Sequence, residues 1–161
     1  MASNSNFLPD DRLAQIIEDA IPKSLADVNR LPRDLASLTL VNEKSLMDLN
    51  REIQYRDVYK TMNQWRFIRF TMLGRTEINL LGLNERGVLR ITSAVRGIDL
   101  NRWLVTTNSG TQYMLGIPGE GEPPKDMLIG LCVFLHGFGY GKMLGVPRWR
   151  YTSMGYVLDG G

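Results

Sequence analysis

Hydrophobic and polar residues alternate with a period of two along residues 88–116, the clearest pattern in the chain. Asn108-Ser109-Gly110 interrupts the alternation, and Asn and Gly accept the left-handed backbone angles that short hairpin loops require. On the two sides of this break the same-face positions are Trp103, Val105 and Thr107, then Thr111, Tyr113 and Leu115. The segment therefore predicts a tight β-hairpin.

Two further chain reversals flank that hairpin. Ile98–Arg102 and Asn84–Gly87 each separate two runs of strand-forming residues. Residues 66–73 fit neither a strand nor a helix cleanly, but their aromatic residues favour a first strand. Strands joined by short turns form a meander, so we expect an antiparallel sheet of four to five strands from about Phe67 to Leu115, or a small barrel.

Helical spacing dominates the amino-terminal residues 8–65. Asp10 and Asp11 open a first helix, and Pro22 ends it. Its apolar face consists of Leu13, Ile16, Ile17 and Ala20. A second helix, with Pro32 in its first turn, has apolar positions at Leu35, Leu38, Val41, Leu46, Leu49 and Ile53. A third stripe, at Val58, Met62 and Trp65, continues this helix or begins another.

The carboxy-terminal third begins with a loop. Residues 117–124 concentrate Gly and Pro, which predicts an exposed loop that either binds a partner or only connects two elements. Met127–His136 is apolar all round and predicts a buried helix against the sheet. The expected fold is a single α+β domain. Its parts are a helical region 8–65, a β-rich region 66–116, the loop 117–124, and a carboxy-terminal helix and tail 125–161.

Composition narrows the class of protein. The chain has 161 residues, of which 43% are hydrophobic and 22% charged, so it can bury a substantial core. Cys132 is its single cysteine, which excludes an intramolecular disulfide and fits a reducing compartment. The longest apolar stretch, Met127–Leu135, is too short to cross a bilayer, and residues 1–6 carry no signal-peptide pattern. We expect a cytoplasmic protein without a membrane partner.

Candidate catalytic chemistry fails its spacing tests. Cys132 and His136 would share a helix face, but the thiol lies among apolar neighbours that predict an inert, buried group, and His136 is placed to end the helix. One Cys and one His also fall short of a zinc ligand set. Gly137–Lys142 lacks the spacing of a phosphate loop. The sequence thus predicts a protein that is not an enzyme and has neither a cofactor nor a metal site.

Aromatic residues near glycines and bases suggest a contact surface in the tail. The candidate binding residues are Phe138, Tyr140, Lys142, Arg148, Trp149 and Arg150. Exposed aromatics are enriched at protein interfaces, and the eight methionines of the chain suit adaptable contacts. These residues favour a non-enzymatic interaction module, acting as an adaptor, inhibitor or structural protein, with another protein as its partner. Partner identity and oligomeric state stay open.

The uneven charge supports an alternative, a nucleic-acid-binding protein. Residues 1–65 hold 8 basic and 10 acidic side chains, whereas 66–161 hold 11 basic and 7 acidic, and nine of those 11 bases are Arg. Arginine suits phosphate because its planar fork donates two hydrogen bonds at once. Arg90, Arg96 and Arg102 would form a basic sheet face if they share one side of the strands, with the tail aromatics stacking on bases.

Residues 8–58 resemble the F-box motif, a helical module that docks ubiquitin-ligase adaptors. The resemblance lies in Leu8–Ile17, Asp34–Asn42 and Gln54–Val58. It implies a further alternative, an F-box-like ubiquitin-ligase adaptor. The residues that would correspond to its adaptor-facing and packing positions are Leu8, Pro9, Ile16, Ile17, Leu38 and Val41.

Overall fold

Eight strands and three helices are complete in the computed structural model, which describes residues 12, 15, 18–29, 35–138, 140–141, 146, 148–152 and 155–158. The helices are α1 (Leu25–Val28), α2 (Glu43–Leu49) and α3 (Lys125–Gly137). The strands of the main sheet are β1 (Ala36–Leu40), β2 (Val58–Met72), β3 (Arg75–Leu83), β4 (Leu89–Asp99), β5 (Leu104–Thr107) and β6 (Gln112–Leu115). A separate hairpin consists of β7 (Trp149–Thr152) and β8 (Gly155–Leu158).

The six strands of the main sheet pair in chain order, each antiparallel to the next. β2 is long enough to pair twice: Val58–Met62 runs parallel to β6, whereas Arg66–Met72 pairs with β3. The register shifts between these halves, where Gln64 has a positive φ of 53°. Among the described strands β1 pairs only with β2, so the sheet keeps a free edge. The expected small barrel is therefore wrong, and the sheet has six strands rather than four or five.

The predicted reversals are confirmed. Gly110, with φ 86°, lies in the β5–β6 turn, and the Gly110 N–H donates to the Thr107 carbonyl at 2.9 Å. In the β3–β4 turn the Asn84 side-chain oxygen accepts hydrogen bonds from the N–H groups of Arg86 and Val88. This side chain replaces the strand pairing that the backbone loses at the turn.

The prediction of a second helix is wrong for residues 36–40, which form β1. Ala36 and Leu38 are buried and alternate with the less buried Ser37 and Thr39, which is the period of a strand with one covered face. The helical spacing of its six apolar positions arose by chance, and tertiary pairing with β2 overrides it. The stripe that begins at Val58 is likewise strand. A helix of only seven residues, α2, remains, and the side chain of Asn42 caps it by accepting from the Ser45 N–H at 2.8 Å. The first predicted helix falls largely outside the described residues, although Arg12, Gln15 and residues 18–20 are helical.

Apolar side chains pack on both faces of β2 and β3. Adjacent residues point to opposite faces, so Ile68 and Leu81 join one core while Phe67 and Leu80 join the other. The helix-side core also takes its members from α1, β1 and α3, including Leu25, Leu38, Leu128 and Leu131. The strand-side core lies among β2, β3, β4, β5 and β6 and includes Met62, Trp65, Ile98, Val105 and Leu115. The predicted buried carboxy-terminal helix is thus present as α3, and it covers one face of the sheet.

Candidate functional site

Cys132 and His136 both serve the packing of α3. The Cys132 thiol is fully buried in the helix-side core. His136 lies in the last turn of α3, and its Nε2 is 2.9 Å from the carbonyl oxygen of Val146. A side chain at Gly141 would collide with the imidazole, since a Cβ there would lie 2.4 Å from it. The His136 imidazole therefore links the last turn of α3 to Val146. Within the part of the chain that the structure describes, no three Cys, His, Asp or Glu residues are grouped to hold a metal ion.

Of the six tail residues expected to bind a partner, the structure describes the side chains of four, and these four do not all lie at the surface. Phe138 and Tyr140 are 55% and 40% exposed, and Arg148 is also exposed. Trp149 is only 5% exposed and belongs to the helix-side core, so its assignment as a binding residue is wrong. The aromatic ring contributes to folding because the β7–β8 hairpin packs against α3. Lys142 and the side chain of Arg150 lie outside the described residues.

Phe138 and Tyr140 lie beside a groove where α3 ends against the β2–β3 hairpin, and we call this the apolar groove. The Tyr140 ring is 5.7 Å from the Phe70 ring, and the Phe138 ring stacks on Phe134 at 6.1 Å between centroids. The cavity here has a volume of about 690 Å³. Its lining consists of Phe70, Met72, Leu73, Arg75, Thr76, Glu77 and Tyr140.

The tip of the β2–β3 hairpin presents an apolar side chain to solvent at this groove. Leu73 is 80% exposed and has a positive φ of 52°, a backbone angle that costs energy for a residue with a Cβ. Gly74 follows with φ 78°, so the pair makes the two-residue turn that matches the twist of the strands. An exposed leucine in a strained turn is not explained by packing of the described residues, and it enlarges the apolar surface beside Phe70 and Tyr140.

Arg90, Arg96 and Arg102 do not form the single basic row that was one expectation. Arg90 and Arg96 are exposed but lie six residues apart on β4, about 20 Å along a strand. Arg102 is neutralised because its Nε lies 3.0 Å from the Asp99 carboxylate, the one ion pair among the described residues. The charge of Arg90 acts on Tyr113, whose pKa is raised above the usual 10.0 by burial and by Tyr59 and is lowered in part by Arg90.

Arg96 instead meets two other arginines, which the sequence did not single out. We call residues 51–56, between α2 and β2, the arginine segment. Arg51, Arg56 and Arg96 line one groove of about 270 Å³, which we call the arginine groove. Glu52, Ile53, Gln54, Gly97 and Thr106 complete its lining. The charged side chains of the lining sum to +2.

Buried Asp99 fixes the first half of the arginine segment. Its carboxylate accepts hydrogen bonds from the N–H of Ile53 at 3.3 Å and from Arg102. Arg102 in turn donates through Nη2 to the Ile53 carbonyl. Burial alone would raise the pKa of Asp99, but the hydrogen bonds from Arg102 and Ile53 outweigh it and lower the pKa below the usual 3.8. Beside this cluster the Arg51 guanidinium donates to the Arg96 carbonyl at 2.8 Å.

Buried Gln112 fixes the second half of the arginine segment. Its amide nitrogen donates to the Gln54 carbonyl, and its amide oxygen accepts from the Arg56 N–H at 2.8 Å. The same side chain donates to the Thr106 hydroxyl at 3.1 Å. Gln112 thus holds the backbone on both sides of Tyr55, whose side chain is 57% exposed.

Another buried side chain, Arg66, organises the loop of residues 117–124. Its guanidinium donates to the carbonyls of Gln64, Glu120, Gly121 and Glu122. A Cβ at Gly119 would lie 2.4 Å from the guanidinium, so only glycine fits there. Burial lowers the pKa of Arg66, and the charge of Glu122 offsets part of that shift. This part of the loop is thereby tied to β2, which supports a structural role for it.

The apolar groove and the cavity next to the arginine groove contact β3 through opposite faces. Ile78 lines the cavity next to the arginine groove, and Arg51 and Arg96 line that cavity too. Glu77 and Asn79 lie on the opposite side of β3, towards the apolar groove and α3.

Comparison with family models, with curated proteins and with solved structures gives no match. No helix among the described residues has both the length and the apolar character needed to cross a membrane.

Proposed function

We propose that this chain is a non-enzymatic, cytoplasmic interaction module that binds another protein through the apolar groove. The observation that carries the proposal is the exposed apolar surface formed by Leu73 and Tyr140 at an open cavity, with Phe138 at the adjoining cavity. Exposed aromatic and aliphatic side chains that adjoin a concavity are typical of protein-binding surfaces. The cytoplasmic setting rests on the cysteine content of the sequence.

The charges at the groove indicate the chemistry of the partner. Arg75 lines the groove and lies in no ion pair with a described carboxylate. On the same wall, Glu77 accepts a hydrogen bond from the Asn79 amide at 3.0 Å, so its carboxylate already has a donor. A peptide segment with a large apolar side chain beside an acidic residue complements this arrangement. Its apolar group would occupy the cavity, and its carboxylate would pair with Arg75 at the rim.

A capture experiment with the full chain tests the proposal. Tagged protein should recover a stoichiometric partner, and the double variant Leu73→Asp, Tyr140→Ala should lose it while keeping its thermal transition. The control is Met47→Asp, because Met47 is an apolar residue on α2 whose exposure lies between those of Leu73 and Tyr140, and it lines neither groove. Recovery of nothing above background, or equal recovery by the double variant, would contradict the proposal.

An F-box-like adaptor is a narrower form of the interaction module, in which residues 8–58 and not the apolar groove would bind the partner. Leu38 and Val41, two positions that the resemblance implies, are buried. Leu8, Pro9, Ile16 and Ile17 lie outside the described residues. The capture experiment separates the two forms, since only this narrower one requires the recovered partner to be a ubiquitin-ligase adaptor.

A further inference from the structure

We propose that the arginine groove is a second binding site, and that its ligand is a single-stranded nucleic acid. Arg51, Arg56 and Arg96 bring three guanidinium groups to one groove, and the only carboxylate in its lining is that of Glu52. None of the three guanidinium groups lies in an ion pair with a described carboxylate. Asp48 belongs to the adjoining cavity and leaves the net charge of +2 in the groove unchanged. Phosphate is the anion that several converging arginines bind best.

The backbone of the arginine segment and the Arg51 side chain are held in place before any ligand arrives. Arg51 is fixed twice, by its own N–H on the Ile98 carbonyl at 2.9 Å and by its guanidinium on the Arg96 carbonyl. Arg56 is fixed through its N–H on Gln112. Burial of the polar side chains that order this irregular loop costs desolvation energy. A loop that served only to connect α2 with β2 would not need this ordering. Rigid donors lose less entropy when they bind.

Tyr55 favours a nucleic acid over an acidic peptide or free phosphate. Its exposed ring lies directly before Arg56, between the two backbone groups that Gln112 clamps, next to the groove-lining residues Gln54 and Arg56 but outside the lining itself. An exposed aromatic ring that precedes Arg56 in the chain can stack on a base that extends from the groove while the guanidinium groups bind the backbone. Single strands suit this site because their bases are unstacked and available. A carboxylate peptide would use the arginines but not the ring.

Fluorescence anisotropy with a labelled twelve-nucleotide RNA tests the site. The full chain should bind at low salt, with log K falling against log salt at a slope of about −2, as three phosphate contacts on a single strand require. The variant Arg51→Gln, Arg56→Gln, Arg96→Gln should bind at least tenfold more weakly. The matched control is Lys44→Gln, Arg86→Gln, Lys125→Gln, which removes the same charge from exposed positions outside both grooves. Equal losses in the two triple variants would overturn the proposal, as would no binding by the wild type.

Variants of Tyr55 test the assignment of the ligand. Tyr55→Ala should weaken binding about tenfold without changing the salt slope, whereas Tyr55→Phe should keep the affinity, because stacking needs the ring and not the hydroxyl. An unchanged affinity in Tyr55→Ala would overturn the nucleic-acid assignment. Displacement of the RNA by inorganic phosphate or by poly-glutamate at equal charge concentration would overturn it too.

The double variant Arg56→Gln, Arg96→Gln guards against misfolding. Neither guanidinium makes a hydrogen bond to the described residues, so the fold should survive even if loss of the Arg51 contact proves harmful. It should lose affinity for RNA and flatten the salt slope by more than one unit. A folded double variant with wild-type affinity would overturn the site. Capture of the protein partner at the apolar groove is independent of each of these results.

Discussion

The α3 face of the sheet and the arginine segment beside its other face are held by different forces. On the face with α3, apolar side chains such as Leu128 and Leu131 pack into a continuous core. Beside β4, β5 and β6, the arginine segment has no regular structure, and individual hydrogen bonds between its backbone and the side chains of Asp99 and Gln112 hold it in place. Apolar packing is distributed over many contacts, whereas a polar clamp depends on each donor and acceptor. Loss of one side chain should therefore affect the whole fold on the first face and a local segment on the second.

Truncation of the α3 core should give the largest effect. Leu128 is fully buried, so Leu128→Ala should lower the free energy of unfolding by about 3 kcal/mol through lost burial and the cavity that remains. Urea unfolding followed by circular dichroism measures this change. Leu73→Ala is the control, since the Leu73 side chain is exposed and should contribute little to stability.

Equal destabilisation by the two leucine variants would break the comparison, because it would mean that the exposed hairpin tip is part of the folded core. A cooperative transition should survive in both variants. Hydrogen exchange should report that Leu128→Ala increases opening along α3 and the strands beneath it, not in one segment alone.

Removal of the buried guanidinium should give the next largest effect. Arg66→Met keeps an apolar side chain of similar length but loses four carbonyl acceptors, which should cost about 2 kcal/mol after the relief of desolvation. Exchange of the amides of residues 119–122 should accelerate before the rest of the protein unfolds. Arg69→Met provides the comparison, because Arg69 is half-buried on the same strand and makes no hydrogen bond through its guanidinium to the described residues. Loss of stability without faster exchange in the loop would contradict the assigned role of Arg66.

The contrast between the two faces also explains what could be predicted from the sequence. The buried α3 and the turns at Asn84 and Gly110 followed from local signals, namely continuous apolar character and residues with special backbone angles. The arginine segment had no local signal. Gln112 reaches Arg56 across 56 positions and Asp99 reaches Ile53 across 46, so only the folded sheet brings them together.

Two errors have the same physical origin. Residues 36–40 have helical spacing but form β1, because β2 offers a paired edge that spacing cannot reveal. Trp149 lies between two arginines in the sequence, which suggested a binding site, yet the ring is buried against α3. In each case a local pattern was compatible with two environments, and a distant element selected one of them.

Neutralisation of Asp99 should loosen the arginine segment with less effect on global stability. The folded pKa of Asp99 lies below its unfolded value. The stabilising contribution of the carboxylate is therefore fully present above that unfolded value, about 3.8, and is lost as the pH falls through the lower folded pKa. Asp99→Asn should lower Tm by about 2–4 °C at pH 7, and the difference from wild type should shrink as the pH falls below 3.8.

Thermal melts between pH 2 and pH 7 measure this dependence. Asp57→Asn is the matched control, since Asp57 is exposed beside the same segment and makes no hydrogen bond to the described residues. A difference between Asp99→Asn and wild type that stayed constant across this range would show that the ionised carboxylate does not fasten the segment.

A substitution beside the apolar groove should give the smallest change in stability. This substitution tests the comparison most directly. Phe138 is exposed at the end of α3 and stacks on only one ring, that of Phe134, among the described residues. Phe138→Ser should alter the free energy of unfolding by less than about 0.5 kcal/mol and yet reduce capture of a protein partner. Phe134→Ser, one turn earlier on the same helix, should destabilise the fold, because its ring is half-buried against the helix-side core. If Phe138→Ser proved as destabilising as Phe134→Ser, the exposed ring would belong to the packing of α3. The result would then contradict the proposal that the apolar groove is a binding surface for a partner.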